Sequence, residues 1–301
     1  MTLVVLVLVV GAIAGWQVVH RSSPLVRRWH RSSFQRRAAG RLSILDSGPT
    51  GRDGEEVVVM LHGIGATGDY FGAFYDGLSR RRRVLIVDLL GFGHSIDDDQ
   101  ASYELDDHVD ALDSALEDLD LARGSMVIAA HSTAAAIALS WANAHREHVR
   151  RLYLWGPTIY PDAAAGAGAA KQLGVMSRLL LSDARWAQWL YRRGCERREL
   201  SGQLLGLASP RRPMQMSGDA VRHTQVSLDG SIQSLLLHVA WGALLPAAVP
   251  VTVFHGEHDL VGDRAMIARL FAHNTIISVP DADHHVALQH PKLLFDAIDQ
   301  Q

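Results

Sequence analysis

Short apolar runs recur along the chain: VVVML (57–61), RVLIVDL (83–89), MVIAA (126–130), RLYLW (151–155), VTVFHG (251–256) and TIISVP (275–280). Continuous rather than alternating hydrophobicity marks strands covered on both faces. RLSILD (41–46) alternates instead, which predicts an edge strand ending in the turn-rich SGPTGRDG. Between the runs the period lengthens. Leu105, Val109, Leu112, Leu116 and Leu119 fall at helical spacing, and the acids among them form a solvated face. Residues 133–145 and 290–299 also predict helices. Buried strands alternating with helices predict an α/β fold: a mostly parallel sheet with helices on both faces and right-handed crossovers.

Residues 161–240 break that rhythm. They hold no clear buried strand, begin with the loose DAAAGAGAAKQLG, and continue into MSRLLLSDARWAQWLYRRG and DGSIQSLLLHVAWG. A helical insertion between two sheet strands is expected there. It divides a core of 41–160 and 241–301. Its Trp186, Trp189 and Tyr191 stand among Arg185, Arg192, Arg193, Arg197 and Arg198. Those aromatics either pack the insertion's own core or rest on lipid headgroups.

The first segment, TLVVLVLVVGAIAGWQVV, carries no charge from Thr2 to Val19. As a helix it spans ~27 Å, close to the hydrocarbon thickness of a bilayer. A single-pass transmembrane anchor (residues 1–20) is expected, with Trp16 at the interface and a basic juxtamembrane linker (21–40) carrying Arg21, Arg27, Arg28, Arg31, Arg36 and Arg37. Those arginines lead to the expectation that the remaining domain lies on the cytoplasmic side, the rival being an exported domain, by cleavage after Ala14 or by the opposite orientation of the anchor. The alternative is a cleaved signal peptide ending at Ala12-Ile13-Ala14. No Lys or Arg precedes the apolar run and arginines crowd behind it, which favours the retained anchor.

Composition narrows the chemistry. Across 301 residues the net charge is −3, so nucleic acid is not an expected partner. Cys195 stands alone, which excludes an intrachain disulfide and a cysteine-based metal cluster. No metal or organic cofactor is expected.

Acyl transfer at a serine needs a nucleophile, a histidine base, an acid to orient it and two N–H donors for the oxyanion. MVIAA runs into His131-Ser132-Thr133 and then an alanine-rich stretch. Ser132 is either a helix N-cap or a nucleophile on a strand-to-helix elbow. Ala130 and Ala134 stand where such elbows carry glycine, one methyl larger at each place. VVVML ends in His62-Gly63-Ile64-Gly65, a turn that lets backbone approach a site. The N–H groups of Ile64 and Thr133 are the candidate oxyanion donors. Asp88, ending RVLIVDL, is expected to be structural. Asp259 lies just past VTVFHG, with Asp263 its competitor. His284 and His285 lie in the loop beyond the last strand. The order Ser132, Asp259, His284 is the one expected of this architecture.

Taken together, HGIGA (62–66), DLLGFGHS (88–95), FHGEHDLV (254–261) and DHHVALQHP (283–291) make the chain resemble an α/β-hydrolase over about residues 41–301. Leu90 stands where that family commonly has proline, and Asp283 where it has glycine. The resemblance implies that the insertion is a cap domain and that the acid is Asp259. It implies that the histidine seven residues before Pro291, His284, is the base. A serine at the elbow argues against the family's dehalogenase and epoxide-hydrolase branches. The implied protein is a membrane-anchored serine hydrolase of an ester or related acyl bond, with a small-molecule ester or lipid as substrate. The alternatives are a cofactor-free haloperoxidase-like or C–C hydrolase activity, or a non-catalytic protein of the same fold binding a lipid or protein partner.

Overall fold

The computed structural model describes residues 2–51, 56–97, 102–121, 124–170, 182, 184–245 and 249–300, with the side chains of 2–10 and 170 outside that set. Eight strands form one sheet: β1 (Gln35–Ala39), β2 (Leu42–Asp46), β3 (Val57–Leu61), β4 (Arg83–Asp88), β5 (Met126–His131), β6 (Val149–Trp155), β7 (Val251–Gly256) and β8 (Thr275–Val279). Their order is β1-β2-β4-β3-β5-β6-β7-β8. β1 and β2 run antiparallel to their neighbours, and every pairing from β4 to β8 is parallel. Every residue of β3, β4, β5 and β7 is buried, as unbroken hydrophobic runs require.

Two expectations at the sheet edges change. RLSILD is not an edge strand, because β1 pairs outside it. The edge at the other end is TIISVP, where Thr275, Ile276 and Ser278 are exposed. An apolar run of that length looks the same whether one face or both are covered.

The segment expected to be a linker is tied to the folded domain at several points. Trp29 is buried, and Ala73 N–H donates to His30 O at 2.8 Å. β1 then supplies Arg36, whose guanidinium meets Asp88 at 2.6 Å and Asp69 at 3.1 Å. Arg37 pairs with Asp46, and Arg31 with Asp219. Three of the six arginines expected to flank a membrane therefore pair with carboxylates of the folded domain, Arg31 and Arg37 while half exposed. Composition shows charge but not the distant carboxylate that meets it.

The chain is helical over α1 (Thr2–Ser22), followed by α2 (Pro24–Arg28). Half of the expected transmembrane segment, residues 1–10, has its side chains outside the described set. Among the described residues, no helix is long and apolar enough to cross a membrane. α3 (Leu105–Asp118) buries His108, Leu112 and Leu116 and opens with a capping box between Glu104 and Asp107. α4 (Ala134–Ala144) is almost wholly buried, which its alanines permit by letting it lie close to the sheet. The insertion is helical where described: α5 (Ala163–Ala170), α6 (Arg185–Glu196), α7 (Arg198–Ala208), α8 (Met214–Asp219) and α9 (Gln225–Ile232). Residues 171–181 and 183 of the expected insertion lie outside the described residues.

Asp88 is structural, as expected. Its fully buried carboxylate accepts from Arg36, from Gly68 N–H at 2.6 Å and from His94 N–H at 2.9 Å. Burial pushes this carboxyl up, and the hydrogen bond from His94 and the Arg36 charge overcome it, holding it below the usual carboxylate range. Breaking a buried pair from one side leaves an uncompensated charge. Arg36→Met is therefore expected to destabilise the fold by about 3 kcal/mol, the low end of that class because the N–H donors remain. Urea unfolding at neutral pH checks it, and a change below ~0.5 kcal/mol would show that Arg36 is dispensable.

Candidate active site

Buried β5 delivers the chain to Ser132 at the carboxyl end of the sheet, and α4 carries it away. Between them Ser132 has φ +60°, a left-handed conformation that L-residues rarely adopt. Its N–H donates to Trp155 O at 2.9 Å, which ties the reversal to β6. Ser132 is therefore not the N-cap. That position belongs to Thr133, and Ala130 and Ala134 are both fully buried around the turn. The elbow forms with alanine in both places usually held by glycine. The crowded position is instead Gly63 on the opposite turn, where a Cβ would lie 2.7 Å from Ser132 Cβ.

The structure brings the three expected residues into one line. Ser132 Oγ lies 2.9 Å from His284 Nε2, and His284 Nδ1 lies 3.1 Å from Asp259 Oδ2. Asp259 is buried, and its other oxygen accepts from Val261 N–H at 2.8 Å. Burial raises its carboxyl, but the His284 imidazole and the Val261 N–H hold it below the usual range, so it stays ionised. Asp263, the competitor, does other work: its carboxylate caps the helix Arg264–Leu270 by accepting from Met266 N–H.

The proposed oxyanion donors flank Ser132, with one complication. Ile64 N–H donates to Thr133 Oγ1 at 3.1 Å, so a substrate oxygen must displace that hydroxyl to use it. Thr133 N–H heads α4, where helix N-termini favour negative charge.

Three further groups surround His284 that the sequence did not single out. His131 Nε2 lies 3.0 Å from His284 O. Burial, and then the charge of His284, push the His131 ring down to about 3, so it stays neutral at physiological pH. Tyr70 stacks on His131 with ring centres 4.8 Å apart. Gly156, at φ +55°, passes so close that a Cβ would lie 3.0 Å from Asp259 Oδ2 and 3.2 Å from His284 Nδ1. Its position after β6 was the available signal.

A cavity of ≈ 1180 Å³ opens above Ser132, at or above the upper end of ordinary ligand pockets. Ile64, Tyr160, Leu204, Leu228, Ile232 and Leu236 line it, so the insertion supplies most of its apolar wall. The insertion's aromatics divide. Tyr191 is buried, stacked on His223, whereas Trp186 and Trp189 are 63% and 59% exposed.

A mostly parallel sheet with a strained elbow at a strand's carboxyl end, roofed by a helical insertion, defines a class of α/β proteins built around a strand-end site. The chain belongs to the alpha/beta hydrolase fold family, whose model matches residues 56–291. It is 28% identical over 278 residues to a cis-3-alkyl-4-alkyloxetan-2-one decarboxylase of Xanthomonas campestris pv. campestris, covering 85% of this chain and 90% of that protein. A solved membrane phospholipase A is similar with a TM-score of 0.65 at 18% identity, covering 99% of this chain and 96% of the other. The esterase RhEst1 from Rhodococcus sp. ECU1013 superposes with a TM-score of 0.64 at 17% identity, covering 89% and 98%.

Gly156→Ala is expected to part His284 from Asp259, because the added methyl enters the space between them. Reaction of Ser132 with a fluorophosphonate should then slow by about 100-fold, the usual cost of such a misplacement. Mass-spectrometric labelling rates of the folded variant measure it, and a wild-type rate would mean that the contact does not depend on this glycine.

Proposed function

We propose that the protein is a serine hydrolase cleaving an ester or related acyl bond of an apolar substrate. The observation that carries this is the Ser132–His284–Asp259 hydrogen-bonded line at the floor of an apolar cavity. His284 Nε2 takes the proton of Ser132 Oγ as the oxygen attacks the acyl carbon. Asp259 holds Nδ1 protonated and stabilises the imidazolium. The developing oxyanion sits against the N–H groups of Ile64 and Thr133, once the Thr133 hydroxyl gives way. His284 returns its proton to the leaving alcohol, and a water repeats the sequence to free the acid. An oxetan-2-one is a cyclic ester, so the decarboxylase relative and the esterase neighbour both support an acyl-type substrate. The elbow strain at Ser132 counts against a purely binding role, since nothing in lipid binding requires it.

The substrate class we propose is lipid-like, reached from a membrane surface, with the domain anchored on the cytoplasmic side. The exposed Trp186 and Trp189 lie on α6, and the exposed Leu200, Leu204 and Leu207 lie on α7. Leu207 also touches the amino-terminal helix: Trp16 Nε1 donates to its carbonyl at 2.8 Å. This apolar face and α1 thus share one side of the insertion. The membrane phospholipase neighbour supports the same reading.

Ser132→Ala and His284→Ala are each expected to lower kcat by ~10⁴-fold, with Asp259→Asn nearly as severe. Asp263→Asn and His285→Ala should cost far less. Steady-state hydrolysis of a short soluble ester checks the ranking, and retention of turnover by Ser132→Ala would remove the nucleophile assignment. For the surface, Trp186→Ser with Trp189→Ser is expected to lower turnover of a long-chain ester in vesicles by about tenfold through lost interfacial binding. Turnover of the short ester should be unchanged. Equal loss on both substrates would point to a damaged cap instead.

A further inference from the structure

The turn SPRRP (209–213) follows α7, whose last carbonyls have no partner within the helix. One carbonyl of that helix end and two of the turn find partners far away in sequence. Trp16 Nε1 donates to Leu207 O at 2.8 Å, the His20 ring nitrogen Nδ1 to Pro210 O at 2.8 Å, and Ser23 Oγ to Arg211 O at 2.7 Å. The amino-terminal helix and the residue after it therefore grip the backbone of this turn at three points.

The next side chain on that turn, Arg212, stands at the cavity rim and donates through Nη2 to His285 Nε2 at 2.9 Å. Arginine has no lone pair to offer, so Nε2 of His285 must be the accepting nitrogen. The ring is then neutral, with its proton on Nδ1, and it donates to the Tyr70 hydroxyl oxygen at 3.2 Å. With its proton on Nε2, His131 donates to the carbonyl oxygen of His284 at 3.0 Å, and Tyr70, whose oxygen lies 3.3 Å from the same nitrogen, holds that ring by stacking on it rather than by donating to it. The peptide that carries His284 is thus held from both sides, through its own carbonyl and through the ring of the residue after it. Burial, followed by the Arg212 charge, pushes the His285 ring well below its ordinary range. Among the described residues, the hydrogen-bond partner of the Arg212 guanidinium is this histidine.

We propose that Arg212 is a positioning residue for His284, acting through His285 and Tyr70, and that the amino-terminal helix sets its position by holding the turn that bears it. The proposal rests on Ser132 as nucleophile and His284 as base. It makes the docking of the first helix on the cap a determinant of turnover. Loss of the Arg212 contact frees the His285 ring and loosens the loop, which lowers the fraction of His284 in line with Ser132. Binding of a neutral ester does not involve the guanidinium.

The experiment uses the full chain in detergent and a short neutral ester. Arg212→Met is expected to lower kcat by about tenfold with KM unchanged, a misalignment smaller than removal of a reacting group. Arg212→Lys, which keeps a donor, should recover most of that loss. Trp16→Phe combined with Ser23→Ala should lower kcat in the same direction, again with KM unchanged, although neither residue touches the cavity floor. Wild-type kcat in Arg212→Met overturns the proposal. So does a raised KM with kcat unchanged, which would make Arg212 a substrate contact. Ser132→Ala serves as the reference. If it is inactive while Arg212→Met is normal, only this inference fails; if it retains turnover, the nucleophile assignment fails and takes this inference with it.

Discussion

One backbone conformation organises the molecule: the left-handed turn at Ser132, wedged between a fully buried strand and an almost wholly buried helix. A non-glycine residue at φ +60° costs on the order of 1–3 kcal/mol and persists only where the surroundings leave no alternative. Those surroundings are the sheet register and the packing of α4. The N–H of Ser132 is tied to β6, Gly63 leaves room for its Cβ, and the alanines of α4 allow the helix to lie flat on the strands. The strain fixes where Oγ points, and each other site group is placed relative to it by the end of a different strand. Asp259 follows β7 and His284 follows β8, while Gly156 after β6 leaves space for their contact.

A second organising feature lies on the opposite side of the cavity. The insertion is not a separate lid resting on the core. The Arg31–Asp219 ion pair, the Arg212–His285 hydrogen bond and the three side-chain bonds from the first helix and the residue after it connect it to both the amino terminus and the histidine loop. The cavity is therefore walled by an element whose position depends on residues more than 180 places earlier in the chain.

Much of this was legible in the chain. The buried strands announce themselves as unbroken apolar runs, because a strand covered on both faces has no polar positions to alternate with. Ser132, Asp259 and His284 were readable from their places after such runs, together with motif spacing, and they converge at hydrogen-bond distances. The competitor Asp263 resolves only in three dimensions, since a strand-end acid and a helix cap share the same short loop. The extent of the sheet was misread at both ends. The six arginines before residue 40 also read as one basic stretch, although three of them belong to carboxylates in β2, β4, the segment after β3 and the insertion.

The sequence by itself determined the layering, seven of the eight strands, the helical insertion and the chemical identity of the elbow serine, acid and histidine; β1, inside the stretch read as a linker, it did not show. These follow from local periodicity and from residue types at element ends, which need no knowledge of distant neighbours. Tertiary structure decided which groups touch. It placed Tyr70, His131 and Gly156 around His284, turned Trp186 and Trp189 outward while burying Tyr191, and set Arg212 against His285. Each of these contacts joins residues tens to hundreds of positions apart. Their distances depend on sheet order and on the seating of the insertion, and neither leaves a periodic trace in the chain.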